Sequence, residues 1–70
     1  MHAQEIHVSG GRERVSAIRW ELFVFRDVRD VVATDRPDVL YVIHRGEPDL
    51  RGWLETLCSA GYSVAAGTGV

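Results

Sequence analysis

The sequence predicts one small α+β domain, in which a mostly antiparallel sheet of four or five strands carries one amphipathic helix near the C-terminus on one face. Two observations lead to this prediction. Runs rich in β-branched and aromatic residues follow one another as far as Ile43, with turn residues between them. After Pro48 the apolar residues recur every three or four positions, which is the period of a helix. The predicted order is β-β-β-β-α-β, in a single domain over residues 1–70 with an ordered core at about 4–66.

The first strand is predicted where Ile6 and Val8 alternate with Glu5 and His7. Alternation of this kind is typical of a strand that is buried on one face only. The pattern stops at Ser9-Gly10-Gly11, which we interpret as the turn that ends the strand.

The segment from Arg14 to Phe25 is predicted to form the longest strand, because it contains neither glycine nor proline and is rich in β-branched and aromatic residues. One face of that strand would carry Ile18, Trp20, Leu22 and Val24, and the other Arg19, Glu21, Phe23 and Phe25. A helix is the alternative, since some apolar residues also fit a spacing of three and four, namely Val15, Ile18, Leu22 and Phe25. The Phe23-Val24-Phe25 run and the preceding Gly-Gly turn favour the strand.

Two further strands are predicted around a proline turn. Val28 to Thr34 is interpreted as a strand, with a helical turn as the alternative. Asp35-Arg36-Pro37-Asp38 is a turn, because proline presets φ and aspartate accepts hydrogen bonds from nearby backbone amides. The continuous apolar run from Val39 to Ile43 predicts a central strand buried on both faces.

The predicted helix starts at Pro48, which suits a first helical turn because its missing N–H would have no partner there. Its apolar stripe consists of Leu50, Trp53, Leu54, Leu57 and Cys58. Gly61 is expected to end the helix in the left-handed conformation. A last strand is expected over Tyr62 to Ala66, and Gly67 to Val70 are expected to fray.

Composition excludes several classes of protein. With 46% apolar and 26% charged residues the chain is expected to fold. With Cys58 as the lone cysteine, no internal disulfide is possible, and Cys58 is expected to be packed and inert. The sequence has no Cys/His cluster, so neither a metal site nor a cofactor is predicted. No apolar run is long enough to cross a membrane, and no signal peptide is recognisable, so we expect a cytoplasmic protein. A net charge of −2 argues against nucleic acid as a partner.

The segment from His44 to Arg51 is the candidate ligand site, because it joins a strand end to a helix N-terminus. We expect an anionic small molecule there, held by His44, Arg45, Gly46 and Arg51. Glu47 and Asp49 oppose this hypothesis, since they place negative charge at the same helix end. The alternative is a helix cap with solvated arginines. No matching nucleophile accompanies His44, so an enzyme is not predicted.

The leading functional hypothesis is a non-enzymatic protein-interaction module or accessory subunit. One helix of about twelve residues covers only one face of such a sheet, so a second copy or another protein is expected to cover the other. The candidate interface is the strand face with Arg19, Glu21, Phe23 and Phe25, which implies a homodimer formed through the sheet. The alternatives are the anionic-ligand site above and, third, an RNA-binding sheet in which bases stack on the two phenylalanines.

Overall fold

A computed structural model describes the backbone of residues 1–69 and the side chains of residues 1–67. In chain order its elements are β1 (His2–Val8), a 3-10 helix (Gly11–Arg14), α1 (Val15–Leu22), β2 (Val28–Ala33), β3 (Val39–His44), α2 (Leu50–Ser59) and β4 (Val64–Gly69). The α+β class and the antiparallel sheet are confirmed. The prediction of a single helix is wrong, because this part of the chain contains two α-helices.

The four strands lie in the order β2-β3-β1-β4, and every neighbouring pair is antiparallel. With the helices between them, the connectivity is β-α-β-β-α-β, the split β-α-β or ferredoxin-like arrangement. Strand β3 lies inside the sheet between β2 and β1, which confirms the central position predicted for Val39 to Ile43. The predicted burial on both faces is incomplete, because Tyr41 and Ile43 are only partly buried. Strand β2 confirms the predicted strand after Val28 and forms one edge.

The predicted strand from Arg14 to Phe25 is wrong, and the helical alternative is correct for its first part. In α1 the side chains of Ile18 and Leu22, four positions apart, are fully buried in the core. Trp20 lies between them in sequence and is 73% exposed, whereas a strand would have placed all three on one face. The β-propensity of these residues is therefore overridden by helical packing of the Ile18–Leu22 stripe on the sheet.

Helix α2 begins at Leu50, two residues later than predicted, and Pro48 precedes its cap. The N-cap is Asp49, whose Oδ1 accepts a hydrogen bond of 3.2 Å from the Gly52 N–H. On the predicted stripe Trp53 and Leu57 are buried and Leu54 is partly buried. Cys58 is exposed, so its predicted packing against the sheet is wrong.

The C-terminal end of α2 has the predicted glycine. Gly61 has a φ of 96°, and its N–H donates to the Cys58 carbonyl at 3.0 Å. The N–H of Tyr62 donates to the Leu57 carbonyl at 3.0 Å, which completes a Schellman motif. Tyr62 also packs against the core cluster that contains Leu57, so the motif joins the helix end to the core.

The core lies between the sheet and both helices, which cover the same face. Its fully buried apolar residues are Ile6, Val8, Ile18, Leu22, Val31, Leu40, Val42 and Leu57, together with Trp53 at 1% exposure. Those from the strands occupy alternate positions, as expected for one buried face. The opposite face of the sheet carries Val32, Tyr41 and Ile43, each partly buried. We call this surface the open sheet face.

Strand β4 extends further than expected. It ends at Gly69, which pairs with Gln4. The expectation that the chain frays from Gly67 is therefore wrong for residues 67–69, and Val70 lies outside the described residues. The register of β1 and β4 shifts between Gln4 and Ile6. A Cβ on Gly67 would lie 2.7 Å from the Glu5 carbonyl oxygen, so glycine allows the close approach of the two strands there.

Candidate functional site

The four residues of the predicted interface do not share a sheet face. Arg19 lies in α1, where its Nε donates to Asp30 Oδ1 at 2.8 Å and its second guanidinium nitrogen donates to the Val31 carbonyl at 2.9 Å. It therefore braces α1 against β2. Glu21 is exposed on the same helix, Phe23 is 40% exposed just after it, and Phe25 packs partly into the core.

The end of α1 carries the most exposed group of large apolar side chains in the folded body. Trp20 and Val24 are each 73% exposed and Phe23 is 40% exposed. The Trp20 and Phe23 rings meet edge to face, with centroids 5.8 Å apart. We call these three residues the aromatic patch.

A groove adjoins this patch. Its volume is about 420 Å³, and its walls are formed by Phe23, Phe25, Arg26, Val28 and Arg29. Phe23 belongs to both the patch and the groove, so the two surfaces are continuous. Arg26 and Arg29 are exposed, whereas Val28 at the start of β2 is buried. The groove thus combines apolar walls with two guanidinium groups, and we call it the arginine groove.

The open sheet face is less exposed and more polar at its centre. Tyr41 lies opposite both Val32 and Glu5 in the sheet register. Glu5 Oε2 lies 3.0 Å from His7 Nε2, so an acidic and an imidazole side chain are paired on this face. The third hypothesis, stacking of RNA bases on Phe23 and Phe25, loses its geometric basis because neither residue lies on this sheet.

The segment predicted to hold a ligand borders a different cavity. Its volume is about 490 Å³, and it is lined by His2, Ala3, Gln4, His44, Gly46, Glu47 and Pro48. His2 and His44 are directly opposite each other on β1 and β3, which places both imidazoles at this end of the sheet. We call this space the histidine cavity.

His44 is the buried polar residue of this cavity. Its residue exposure is 2%, and its ring lies between those of His2 and Trp53, with centroid separations of 5.6 Å and 5.4 Å. Neither His44 Nδ1 nor the Trp53 indole N–H has a hydrogen-bond partner among the described residues. The core therefore contains one imidazole nitrogen and one indole N–H that have no protein partner among the described residues.

Only part of the predicted ligand set reaches the cavity. His44 and Gly46 line it, and Gly46 has a φ of 67°. Arg45 is exposed, and its backbone N–H donates to the Asp27 carbonyl at 2.9 Å. Arg51 is exposed on α2, where its Nε lies 3.2 Å from Glu55 Oε1. The helix N-terminus itself is occupied by the Asp49 cap, as in the alternative interpretation of this segment.

The described side chains include no group of three or more His, Cys, Asp or Glu residues that would hold a metal ion. Over the same part of the chain, neither helix has the length and apolar character needed to cross a membrane. Comparisons with protein-family models, with curated proteins and with solved structures found no match for this chain.

Sequence reasoning missed the aromatic patch and the contribution of His2. Trp20 and Val24 are four positions apart and point away from the Ile18–Leu22 stripe, so the helical alternative contained the signal for an exposed apolar surface. The pairing of His2 with His44 depends on the strand register, for which the sequence offered no signal.

Proposed function

We propose that this protein is a non-enzymatic interaction module that forms a homodimer, in which the aromatic patch of each copy enters the arginine groove of the other. The single observation that carries the proposal is the exposure of Trp20 beside Phe23 and Val24. The dimer was expected from the sequence, but the proposed surface is the end of α1 and the turn after it, not the sheet.

A contiguous group of large, exposed apolar side chains is uncommon on a protein surface and marks interaction sites. Single exposed leucines or valines are ordinary, whereas a tryptophan and a phenylalanine in ring contact beside a valine form a contiguous apolar surface. Tryptophan is also enriched among the residues that dominate binding energy at protein interfaces. The patch therefore favours an interaction role over a purely structural one.

A second copy of the chain is the occupant that fits best, because the aromatic patch and the arginine groove are adjacent on one molecule. In a two-fold interface, residue i contacts residue j and residue j contacts residue i, so the patch of each copy can meet the groove of the other. Trp20 would lie between apolar walls with Arg26 and Arg29 beside its ring, where a guanidinium interacts favourably with the indole face. Exposed Glu21 would add opposite charge to the same contact.

The size of the surface sets the expected affinity. The patch and groove together involve a small set of residues, so the buried area falls at the low end of specific interfaces, below about 1,200 Å² in total. Interfaces of that size have modest affinity, and we expect a dissociation constant in the micromolar range, on the order of 10 μM.

Sedimentation equilibrium from about 1 to 300 μM tests the proposal, since that range brackets the expected dissociation constant. Wild type is expected to shift from monomer to dimer, and Trp20→Asp is expected to remain monomeric because a carboxylate is costly to bury in an apolar contact. Tyr41→Lys is the matched control: it charges the open sheet face opposite Glu5 and is expected to leave dimerisation unchanged.

Three outcomes would contradict the proposal. A wild-type protein that stays monomeric throughout the range would exclude the homodimer. A dimeric Trp20→Asp variant would place the contact elsewhere. Loss of the dimer in Tyr41→Lys alone would move it to the open sheet face.

The cytoplasm remains the proposed location. The chain has one cysteine, and secreted domains of this size usually depend on disulfides for stability. A dimer interface would stabilise so small a domain without them.

A further inference from the structure

We propose that the histidine cavity binds a small planar organic cation, a ring of one or two cycles that carries an amidine or a protonated amine. This site is independent of the proposed dimer, because the residues that line the cavity are different from those of the aromatic patch and the arginine groove.

The buried imidazole is the first argument. A polar side chain that is 98% buried normally has a hydrogen-bond partner, and His44 Nδ1 has none among the described residues. His44 lines the cavity and is backed by the Trp53 ring at 5.4 Å, so its imidazole is held at a fixed position in the cavity wall. Burial of a polar nitrogen without a partner costs folding stability, so the position of His44 in the cavity wall is not explained by the fold alone.

The shape and lining of the cavity favour a planar ligand. The exposed imidazole of His2 supplies a flat surface in the cavity wall, and the buried His44 ring lies 5.6 Å from it with its plane inclined by 33°. Ala3 and Pro48 add apolar contacts, and the volume of about 490 Å³ lies within the usual range for small-molecule sites. A planar ring can stack on one imidazole while its polar substituent remains near the cavity mouth.

The charge of the lining favours a cation. Apart from the two histidines, Glu47 is the one acidic or basic residue among those that line the cavity. The arginines expected to attract an anion, Arg45 and Arg51, lie outside it. An anion in the cavity would meet the Glu47 carboxylate without a compensating guanidinium, whereas an amidinium would pair with it.

A pair of isosteric probes tests this inference. Benzamidine and benzoate have the same planar shape and opposite charges, and each is titrated into ¹⁵N-labelled wild-type protein at about pH 8, which keeps free histidine neutral. Benzamidine is expected to give saturable shifts of the His2, Ala3 and Gly46 amides, with a dissociation constant on the order of 1 mM for so small a ligand. Benzoate is expected to give none.

Variants at exposed positions keep the fold intact and assign the contacts. Glu47→Gln is expected to weaken benzamidine binding about twofold to fivefold through loss of the charge pair, and His2→Ala about threefold through loss of a stacking surface. Glu55→Gln removes a carboxylate that lies on α2 outside the cavity, and it is expected to bind as wild type does.

The inference is overturned if benzamidine produces no saturable shift at these amides, if benzoate binds as strongly, or if Glu47→Gln and His2→Ala bind benzamidine as wild type does. None of these results bears on the dimer, which is read from the sedimentation of the Trp20→Asp variant.

Discussion

Leu57 is the residue on which the attachment of α2 to the sheet most depends. It is fully buried in the core cluster and also accepts the hydrogen bond from Tyr62 that ends the helix. Leu57→Ala is expected to lower the free energy of unfolding by about 2 to 5 kcal/mol, through lost transfer energy and the cavity left behind. A domain of this size has on the order of 3 to 5 kcal/mol in total, so the substitution should remove a large share of its stability.

Urea denaturation followed by far-ultraviolet circular dichroism measures this change. Leu54→Ala is the control, because Leu54 is only partly buried on the same helix and the variant is expected to remain folded with a smaller loss. An unchanged urea midpoint for Leu57→Ala would mean that α2 is not part of the core.

Arg19, one of the residues of the predicted interface, holds α1 against β2 in the folded chain. Its guanidinium joins α1 to Asp30 and Val31 in β2, and Asp30 Oδ1 also accepts the Val31 N–H at 2.8 Å. Because the Arg19 and Asp30 side chains are 33% and 48% exposed, solvent weakens the pair. Arg19→Met keeps the aliphatic stem and is expected to cost about 1 kcal/mol.

Thermal unfolding at low protein concentration checks this value, with the exposed Arg36→Met as a control expected to change stability by less than about 0.5 kcal/mol. If both variants melt together with wild type, the brace contributes nothing to stability.

At the scale of elements, the end of α2 depends on a glycine. Gly61 has a φ of 96°, which is unfavourable for residues with a Cβ, although no atom lies within 4 Å of where that Cβ would be. Gly61→Ala is therefore expected to cost about 1 kcal/mol from backbone strain alone. Gly61→Asn is expected to cost less, because asparagine tolerates the left-handed conformation. Urea midpoints of the two variants make the comparison, and a stable Gly61→Ala would contradict the assigned strain.

The elements show why one part of the fold was predictable and another was not. Strand β3 and helix α2 have unambiguous patterns, a continuous apolar run for β3 and a three-and-four stripe for α2, and both predictions are confirmed. In α1 and the turn after it, the residues Trp20 and Val24, which prefer strands, face solvent, and the buried Ile18 and Leu22 determine the packing. Local propensity and tertiary packing conflict there, and packing decides the structure.

The residues of the candidate sites were likewise predictable from the sequence only in part. Strand-end residues His44 and Gly46 were correctly placed together because a strand-to-helix connection is local in sequence. Phe23 was proposed for an interface and is exposed, but on a different element from the predicted one. The opposition of His2 and His44 requires the register of two strands far apart in the chain, and a sequence pattern does not fix that register.

At the scale of the whole molecule, one core joins all the α-helices and strands. Both helices and residues from β1, β2 and β3 share a single cluster of buried side chains, and Val64 of β4 packs against it. Such a domain is expected to unfold in one cooperative step, because no element has a core of its own. The aromatic patch stands outside this core, so changing it should affect association and leave the folded monomer intact.

That separation leads to a prediction about thermal stability. If folded chains associate and unfolded chains do not, the melting temperature of wild type rises with protein concentration. Above the dissociation constant, each tenfold increase in concentration adds about 1.4 kcal/mol per dimer, or about 0.7 kcal/mol per chain. For a domain of this length that corresponds to a rise of about 3 to 5 °C.

Trp20→Asp is expected to melt at one temperature at all concentrations, equal to that of dilute wild type. Differential scanning calorimetry from about 10 to 1,000 μM makes the measurement, since it extends above the expected dissociation constant. A concentration-independent melting temperature for wild type would show that the aromatic patch is not covered by a second copy. If Trp20→Asp melts below dilute wild type at every concentration, Trp20 stabilises the monomer itself.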